Sequence, residues 1–150
     1  MKGLICLLVL LVGCTDHGTL PDPQLGYLPS VEPPVQIHED EINLLIEKHN
    51  SIRSRQNLPV LREHPQLTQH AERHAQWMAR SRILRHSSIR SLLGAFGVVS
   101  ENIAQGHTHE AQVMNDWMNS RGHRANILDR RHRFIGVGRS NNYWCVVFGG

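Results

Sequence analysis

The C-terminal run Tyr143–Phe148 restricts the fold of this 150-residue chain more than any other segment. Its β-branched and aromatic side chains predict a short strand, and Ser140–Asn142 predicts a hairpin turn from a partner strand at Phe134–Gly138. Side chains alternate between the two faces of a strand, and in this run the residues of both faces are apolar. Such a strand must be covered by one packed layer above it and another below it.

Three helices are predicted from apolar residues that recur at helical spacing. They cover Glu39–Gln56, a segment that starts near Pro65, and His109–Asn119, for which Thr108 is the expected N-cap. Since helices are the only material available for the two covering layers, the expected fold class is α+β, a three-layer α-β-α sandwich. The predicted inner faces of the second and third helices comprise Leu67, Ala71, His74, Ala75 and Met78, and Ala111, Met114, Trp117 and Met118.

The composition indicates one soluble globular domain, predicted over residues 38–150. The chain is 40% hydrophobic and 19% charged, with a single long apolar run, which excludes a polytopic membrane protein. Of its three cysteines two lie within the first fourteen residues, so Cys145 has no partner for a disulfide within the domain. We expect Cys145 to be a small buried hydrophobic residue, because nothing adjacent in the sequence would lower its pKa.

The first fourteen residues resemble the signal sequence of a bacterial lipoprotein. Leu4–Val12 is an apolar run that would be about 14 Å long as a helix, too short for the ~30 Å hydrocarbon layer. It leads to a small residue directly before Cys14. The resemblance implies that residues 1–13 are removed, that Cys14 is acylated, and that the protein is secreted across the inner membrane and anchored to a bacterial membrane. The alternative is an ordinary signal peptide in which Cys14 has no role.

A proline-rich segment, residues 14–37, separates this leader from the predicted domain. It holds five of the seven prolines and shows neither helical nor strand periodicity. It predicts an extended tether with a reach of roughly 70 Å, at ~3.1 Å per residue, that would hold the domain clear of a lipid surface. The alternative is a leader without a spacing role.

The predicted domain has a basic charge balance, with 15 Lys and Arg residues against 10 Asp and Glu residues. A basic surface favours anionic partners in general. However, the arginines are scattered and no motif for reading bases accompanies them, so nucleic-acid binding is not expected. We expect the protein to be a monomer.

Seven short motifs of the predicted domain occur in a characteristic order. They are His49–Arg53, Leu58–Leu61, Leu67–Ala79, Ser100–Ala104, Ser120–Leu128, Ile135–Gly138 and Tyr143-Trp144. This ordered set resembles the CAP superfamily, also called SCP-like, which includes cysteine-rich secretory and plant pathogenesis-related proteins. The Ser-x-Gly-His-Arg-x-Asn-Ile-Leu motif is similar to the bacterial branch, which usually lacks the disulfides of eukaryotic members.

The resemblance implies an α-β-α fold with a central cleft lined by two histidines and two acidic residues. His86, Glu101 and His123 match three of these positions and are the candidate catalytic residues. His86 and His123 are also the candidate metal ligands. The second acidic position falls on Ser120, and Glu110 is not an obvious substitute, which weakens any proton-transfer role implied by the family.

Three chemistries fit this candidate set. Two imidazoles and a carboxylate suit zinc or another divalent metal, with Glu101 either as a third ligand or as the group that orients one imidazole. A histidine would alternatively act as a general base, although the sequence shows neither a nucleophile nor an oxyanion site. The third alternative is a polar network that ties loops to the sandwich.

Two classes of function follow from the resemblance, and Ser120 favours the first. One is a binding module, anchored to the lipid bilayer through Cys14, that holds a small lipid, glycan or peptide, or a metal-dependent ligand, in its cleft. The other is a metal-dependent or histidine-assisted hydrolase, similar to the family members proposed to be proteases.

Two further histidine pairs have spacings that suit a metal. His70 and His74 lie at positions i and i+4, and His107 and His109 flank Thr108. More often, such a pair consists of one inward and one solvated histidine.

Overall fold

The computed structural model describes the backbone of residues 35–150 and the side chains of residues 39–150. These residues belong to one compact unit that contains two hydrophobic cores. Among them, no helix combines the length and the apolar character that a membrane crossing requires. The predicted signal peptide, the acylation site at Cys14 and most of the predicted tether lie outside the described residues.

Five α-helices and four β-strands make up the described part of the chain. The helices are α1 (Val35–Arg55), α2 (Pro65–Ser81), α3 (Leu93–Phe96), α4 (Glu110–Asn119) and α5 (Arg121–Ile127), and a 3-10 turn over Arg90–Leu92 leads into α3. The strands are β1 (Arg62–Glu63), β2 (Val99–Gln105), β3 (Phe134–Ser140) and β4 (Tyr143–Gly149). In the sheet order β1-β3-β4-β2, the first pair is parallel and the other two pairs are antiparallel.

Strand β4 is buried on both faces, and each face packs against a different layer. The core on the α2 side contains, from β4, Tyr143, Cys145 and Val147. The opposite core, formed with α1, α4 and α5, contains Trp144, Val146 and Phe148. The predicted α+β class and the three-layer α-β-α sandwich are therefore confirmed.

Two glycines of β3 allow α2 to pack directly on the sheet. A Cβ atom on Gly136 would overlap backbone atoms of Leu67, and a Cβ atom on Gly138 would overlap backbone atoms of Ala71. Backbone atoms cannot move aside as the end of a flexible side chain can. These two glycines therefore set how closely α2, with the histidines that it carries, lies against the sheet.

Arg53 ties the last turn of α1 to the loop that follows α5. Its side chain is fully buried. Nε donates to the Pro59 carbonyl at 2.9 Å, and Nη2 donates to the His132 carbonyl at 3.1 Å. Nη1 donates to the carbonyls of Ile127 and Asp129, at 2.8 and 2.9 Å. One guanidinium therefore joins segments that are far apart in the sequence.

Helix α1 begins at Val35 rather than at the predicted Glu39. In the sequence, Val35 directly follows Pro34. Proline is well tolerated where a helix starts, so a helix that begins at Val35 is compatible with this proline. The apolar pattern used for the prediction begins only at Ile42, which explains the late predicted start.

The start of α4 differs from the prediction in two details. Its N-cap is His109 rather than Thr108, because the backbone N–H and the hydroxyl of Thr108 both bond to the Gln112 side chain. Ala111, predicted to face inward, is exposed, and Val113 lies in the core in its place.

Four elements had no counterpart among the predicted helices and strands: β1, α3, β2 and α5. β2 has no apolar alternation, because its buried residues include Glu101 and Asn102. α5 has seven residues, mostly polar, and only Ser120 separates it from α4. β2 and α5 carry residues of the candidate site.

Candidate functional site

The carboxylate of Glu101 is the centre of a polar cluster on the α2 side of the sheet. Glu101 lies opposite Val147 in the antiparallel β2–β4 pair, so its side chain points to the same face, toward α2. Only 2% of the Glu101 side chain is exposed. A carboxylate buried to this extent requires hydrogen-bond donors.

Three hydrogen bonds from the loop residues His86 and Ser87 hold the Glu101 carboxylate, and the Cys145 thiol donates to Oε2 at 3.6 Å. The Ser87 backbone N–H donates to Oε1 at 2.9 Å, and the Ser87 hydroxyl donates to Oε2 at 2.5 Å. His86 Nδ1 donates to Oε1 at 2.7 Å. Burial raises the pKa of Glu101, but the hydrogen bonds from Ser87 and His86 outweigh burial and hold the pKa below its ordinary value. Glu101 is therefore ionised at neutral pH.

The hydrogen bond to Glu101 determines which ring nitrogen of His86 is left to contact a ligand. An ionised carboxylate only accepts, so Nδ1 carries the proton and Nε2 of the neutral ring carries the lone pair. The His86 side chain is 62% exposed. The Glu101 carboxylate therefore orients the His86 ring and is not positioned as a metal ligand next to it.

The pair His70 and His74 is tied to the loop that carries His86. Because the Ser87 hydroxyl gives its proton to Glu101, its oxygen accepts from His70 Nε2 at 2.8 Å. His74 Nε2 donates to the Arg85 carbonyl at 2.6 Å. Burial lowers the pKa of His70, and the charge of Glu101 partly opposes that effect. Both Nε2 atoms are engaged, so the pair positions this loop and does not clamp a metal through them.

His123 reaches the site from α5. Its backbone carbonyl accepts from Asn102 Nδ2 at 3.1 Å, and the centroid of its ring lies 6.3 Å from that of the Trp117 ring. Burial lowers the pKa of His123, and the charge of His86 lowers it further. The structure thus joins His86 to Glu101 directly and places His123 within electrostatic reach of His86.

Asn102 and Asn126 fix α5 to β2 and had not been singled out as site residues in the sequence. Asn126 Nδ2 donates to the Glu101 carbonyl at 3.3 Å and to Asn102 Oδ1 at 2.9 Å. Both lie inside motifs that carry the family resemblance, so their motif positions were the available signal. Ser87 lies in no motif and offered no such signal.

The second acidic position is filled by Ser120, the single residue between α4 and α5. Ser120 makes no side-chain capping bond to either helix. Glu110 starts α4 and pairs with Lys48 at 3.7 Å. Within residues 39–150, Glu101 is the one acid at ion-pair distance from His86, and none lies at that distance from His123.

His86, Glu101 and His123 do not form a group of three metal-type ligands in the described part of the chain. Among residues 39–150, one group of three brings its ligand atoms within 4.8 Å of one another, and it consists of Glu41, His109 and Glu110 rather than the cleft residues. Arg139 pairs with Glu41 and Lys48 pairs with Glu110, so cations already balance that group. The Glu101 carboxylate is already bonded to His86 and Ser87.

Comparison with known proteins identifies relatives across most of the described domain. The family model described as "CAP: Cysteine-rich secretory protein family" matches residues 46–148. The uncharacterized protein YkwD of Bacillus subtilis strain 168 is 32% identical over 115 residues, which are 69% of this chain and 45% of that protein. The chain thus spans less than half the length of this relative.

Solved structures of bacterial proteins share the fold. An extracellular protein of Bacillus anthracis str. Ames that contains an SCP domain has a TM-score of 0.71 at 29% identity, covering 76% of this chain and 41% of its own. A cysteine-rich secretory protein of Staphylococcus aureus Mu50 has a TM-score of 0.69 at 20% identity, covering 77% and 40%. An outer surface protein of Borrelia burgdorferi has a TM-score of 0.67 at 22% identity, covering 74% and 92%. The family model, the sequence relative and the shared sandwich agree, and the chain belongs to the cysteine-rich secretory protein (CAP) family.

Proposed function

We propose that this CAP domain acts outside the cytoplasm as a binding module, held at a bacterial membrane by an acylated Cys14. Two neighbours support the location: the Bacillus anthracis protein is described as extracellular and the Borrelia burgdorferi protein as an outer surface protein. The lipoprotein-like leader of the sequence agrees with them. The proline-rich segment, residues 14–37, serves as the tether between the lipid and the domain.

The ligand site is the pair of imidazoles at His86 and His123. The observation that carries this proposal is the 2.7 Å hydrogen bond that fixes the proton of His86 on Nδ1 and leaves Nε2 as an acceptor. Among the described residues, no hydrogen bond engages a ring nitrogen of His123. Imidazole nitrogens that accept hydrogen bonds suit a small lipid, glycan or peptide that presents donors, or a divalent ion such as zinc.

A divalent ion would use His86 and His123 as its protein ligands, with Glu101 orienting the first of them. Two imidazoles leave the remaining coordination positions to water or to an oxygen of the ligand. Burial lowers the pKa of His123, which favours this role because only a neutral imidazole offers a lone pair to a metal.

A hydrolase is the second candidate, and one observation favours it. His86 with Glu101 has the form of a general base with its orienting carboxylate. Against it stand Ser120 at the second acidic position and the hydroxyl of Ser87, which donates to Glu101 and not to a lone pair of His86. Binding therefore remains the preferred function.

Zinc titration by calorimetry tests the metal site, using residues 33–150, which contain both cores. We expect heat of binding from the wild type and loss of that heat in the double variant His86→Ala plus His123→Ala. The matched control, His109→Ala plus Glu110→Gln, changes the other group of metal-type residues and should retain the heat. Equal heats from the wild type and the cleft variant would exclude zinc from the cleft.

Native mass spectrometry of the same proteins, purified from cells, tests the wider proposal. The wild type should carry a bound small molecule that the cleft variant lacks. Identical masses beyond the two substitutions, together with equal zinc heats, would overturn the binding function. Turnover of a peptide library by the wild type, lost in the cleft variant, would establish the hydrolase instead.

A further inference from the structure

An exposed apolar group lies where α2 ends. Trp77, Ile83 and Leu84 are 38%, 51% and 47% exposed, although side chains of this kind are usually buried. They account for half of the six large hydrophobic side chains that are exposed among the described residues. A cluster of such residues, unlike a single one, indicates a contact surface.

Local hydrogen bonds turn the chain back directly after α2. Arg82 ends α2 in the left-handed conformation, at φ 57°, and its backbone N–H bonds to the Met78 carbonyl. The N–H of Ile83 donates to the same carbonyl at 3.3 Å, so the chain turns back at this point. The His74 ring stacks on Trp77, with centroids 5.6 Å apart, while its Nε2 holds the Arg85 carbonyl. We call the resulting surface, Trp77, Arg80, Arg82, Ile83, Leu84 and Arg85, the α2 tip.

The charged side chains of the segment that contains the α2 tip are all positive. From Arg73 to Ser100 the sequence contains five arginines and no aspartate or glutamate. All five arginines are exposed, and none of them forms an ion pair with another described residue. Arginine pairs well with phosphate oxygens, so the partner of this surface is anionic.

The mixture of apolar and cationic side chains selects among anionic partners. A soluble polyanion would pair with the arginines but would leave exposed Ile83 and Leu84 in water. At the interface of a bilayer, apolar side chains enter the boundary of the headgroups and acyl chains, tryptophan lies at headgroup level, and arginine reaches the phosphates. We propose that the α2 tip docks on the surface of an anionic lipid bilayer.

This contact is separate from the acyl anchor and has a consequence for the cleft. Arg85 of the α2 tip is followed directly by His86 and Ser87, the residues that bond to Glu101. Docking of the tip places the loop that carries His86 beside the lipid surface. A tether alone would leave the orientation of the domain free, whereas the tip fixes it.

Vesicle sedimentation of residues 33–150, which lack Cys14, tests the proposal without an acyl chain. We expect this unit to bind vesicles of phosphatidylcholine with 30% phosphatidylglycerol about tenfold or more tightly than vesicles of phosphatidylcholine alone, less so at high salt. Two variants, Trp77→Ser with Ile83→Ser and Leu84→Ser, and Arg80→Gln with Arg82→Gln and Arg85→Gln, should each lose at least about tenfold in affinity.

Control variants remove exposed apolar or cationic side chains elsewhere on the domain. Leu44→Ser with Val60→Ser removes two other exposed apolar side chains, and Arg55→Gln with Arg121→Gln and Arg130→Gln removes three other exposed cations. Both controls should bind like the wild type within about twofold, because the tip is intact. Circular dichroism of every variant establishes that it is folded.

Tryptophan emission gives a second measurement on the same samples. Trp117 and Trp144 are buried, so a blue shift on vesicle addition would come from Trp77, and it should vanish in Trp77→Phe. Equal binding by tip and control variants, or a wild type that stays in the supernatant, would overturn the proposal. Loss of binding in the arginine variant alone, without a blue shift in the wild type, would show a soluble-polyanion surface and would also overturn it.

Discussion

His86 Nδ1 donates a 2.7 Å hydrogen bond to Glu101 Oε1, so a buried charged side chain sets the orientation of an exposed imidazole. The two residues are fifteen positions apart, and Ser87 closes the arrangement with two further bonds to the same carboxylate. Because these bonds depend on a charged acceptor, the Glu101 carboxylate contributes both to the chemistry of the candidate site and to the stability of the domain.

Replacing Glu101 by Gln should therefore destabilise the domain. An amide has one acceptor oxygen where the carboxylate has two, so bonds from Ser87 or His86 are lost, at a cost of about 1–3 kcal/mol in the free energy of unfolding. Urea denaturation at pH 7 measures the change, and the exposed Glu72→Gln is the control. A midpoint equal to that of the wild type would show that the carboxylate is not needed.

The same substitution should change how the free energy of unfolding depends on pH under acidic conditions. The folded pKa of Glu101 lies below its ordinary value of 4.5, so its stabilisation is complete above that pH and is lost as the pH falls through the folded value. The difference between the wild type and Glu101→Gln should therefore shrink below pH 4.5.

The layers of the fold were predictable from the sequence because one strand carried the information. The alternation in Tyr143–Phe148 required two covering layers, and the observed cores divide the residues of β4 in that way. Helix α2 was equally clear, since Pro65 marks its start and its apolar residues recur at helical spacing.

The candidate site was predictable only where the family resemblance marked it. Glu101 and Asn102 are buried polar residues in a strand, so the period-2 pattern that identifies most strands is missing from β2. The role of Ser87 follows from tertiary contacts alone, since its partners lie on α2 and β2. Likewise, no sequence pattern shows that the carboxylate bonds to His86 rather than to a ligand.

Arg53 should be irreplaceable by lysine. Lysine keeps the charge, but it cannot reproduce the planar arrangement that reaches four carbonyls, and at least one buried acceptor is left unpaired. We expect Arg53→Lys to lower the free energy of unfolding by about 2–4 kcal/mol, measured by urea denaturation. The exposed Arg55→Lys, in the same helical turn, should change it by less than about 0.5 kcal/mol. Equal effects of the two substitutions would contradict this role.

Buried His49 should make the domain sensitive to mild acid. Burial, assisted by the charge of Arg53 and only partly opposed by a bond to the Leu45 carbonyl, lowers its pKa from 6.5 to about 4. Between these values the unfolded chain binds a proton that the folded domain does not, so stability falls as the pH decreases from 6.5 to about 4.

Titrating the free energy of unfolding over that range measures the effect. Replacing His49 by Phe should reduce the slope of the free energy of unfolding against pH by up to about 1.4 kcal/mol per pH unit, because one proton is no longer taken up on unfolding. His109→Phe, at an exposed position, is the control. An unchanged slope in His49→Phe would mean that other groups, such as buried His132, account for the acid sensitivity.

Cys145 should be inert to thiol reagents while the domain is folded. It is fully buried, and burial raises its pKa well above the ordinary value, with the charge of Glu101 acting in the same direction. In residues 33–150 it is the only cysteine, so labelling reports on it alone. We expect labelling at least about a thousandfold slower than in denaturant, and Ser88→Cys, at an exposed position, should add a fast-reacting thiol. Comparable rates for native and denatured wild type would refute the buried assignment.

The acyl anchor and the α2 tip respond differently to salt, and this separates them in cells. Screening removes the electrostatic contribution of the arginines, whereas the burial of acyl chains is insensitive to it. Wild-type protein should therefore stay with the membrane fraction after a high-salt wash, while Cys14→Ser should be released. A palmitate analogue should label the wild type and not the variant. Salt-resistant sedimentation of Cys14→Ser would contradict the lipid anchor, and release of both proteins by salt would leave the arginine-rich tip as the main attachment.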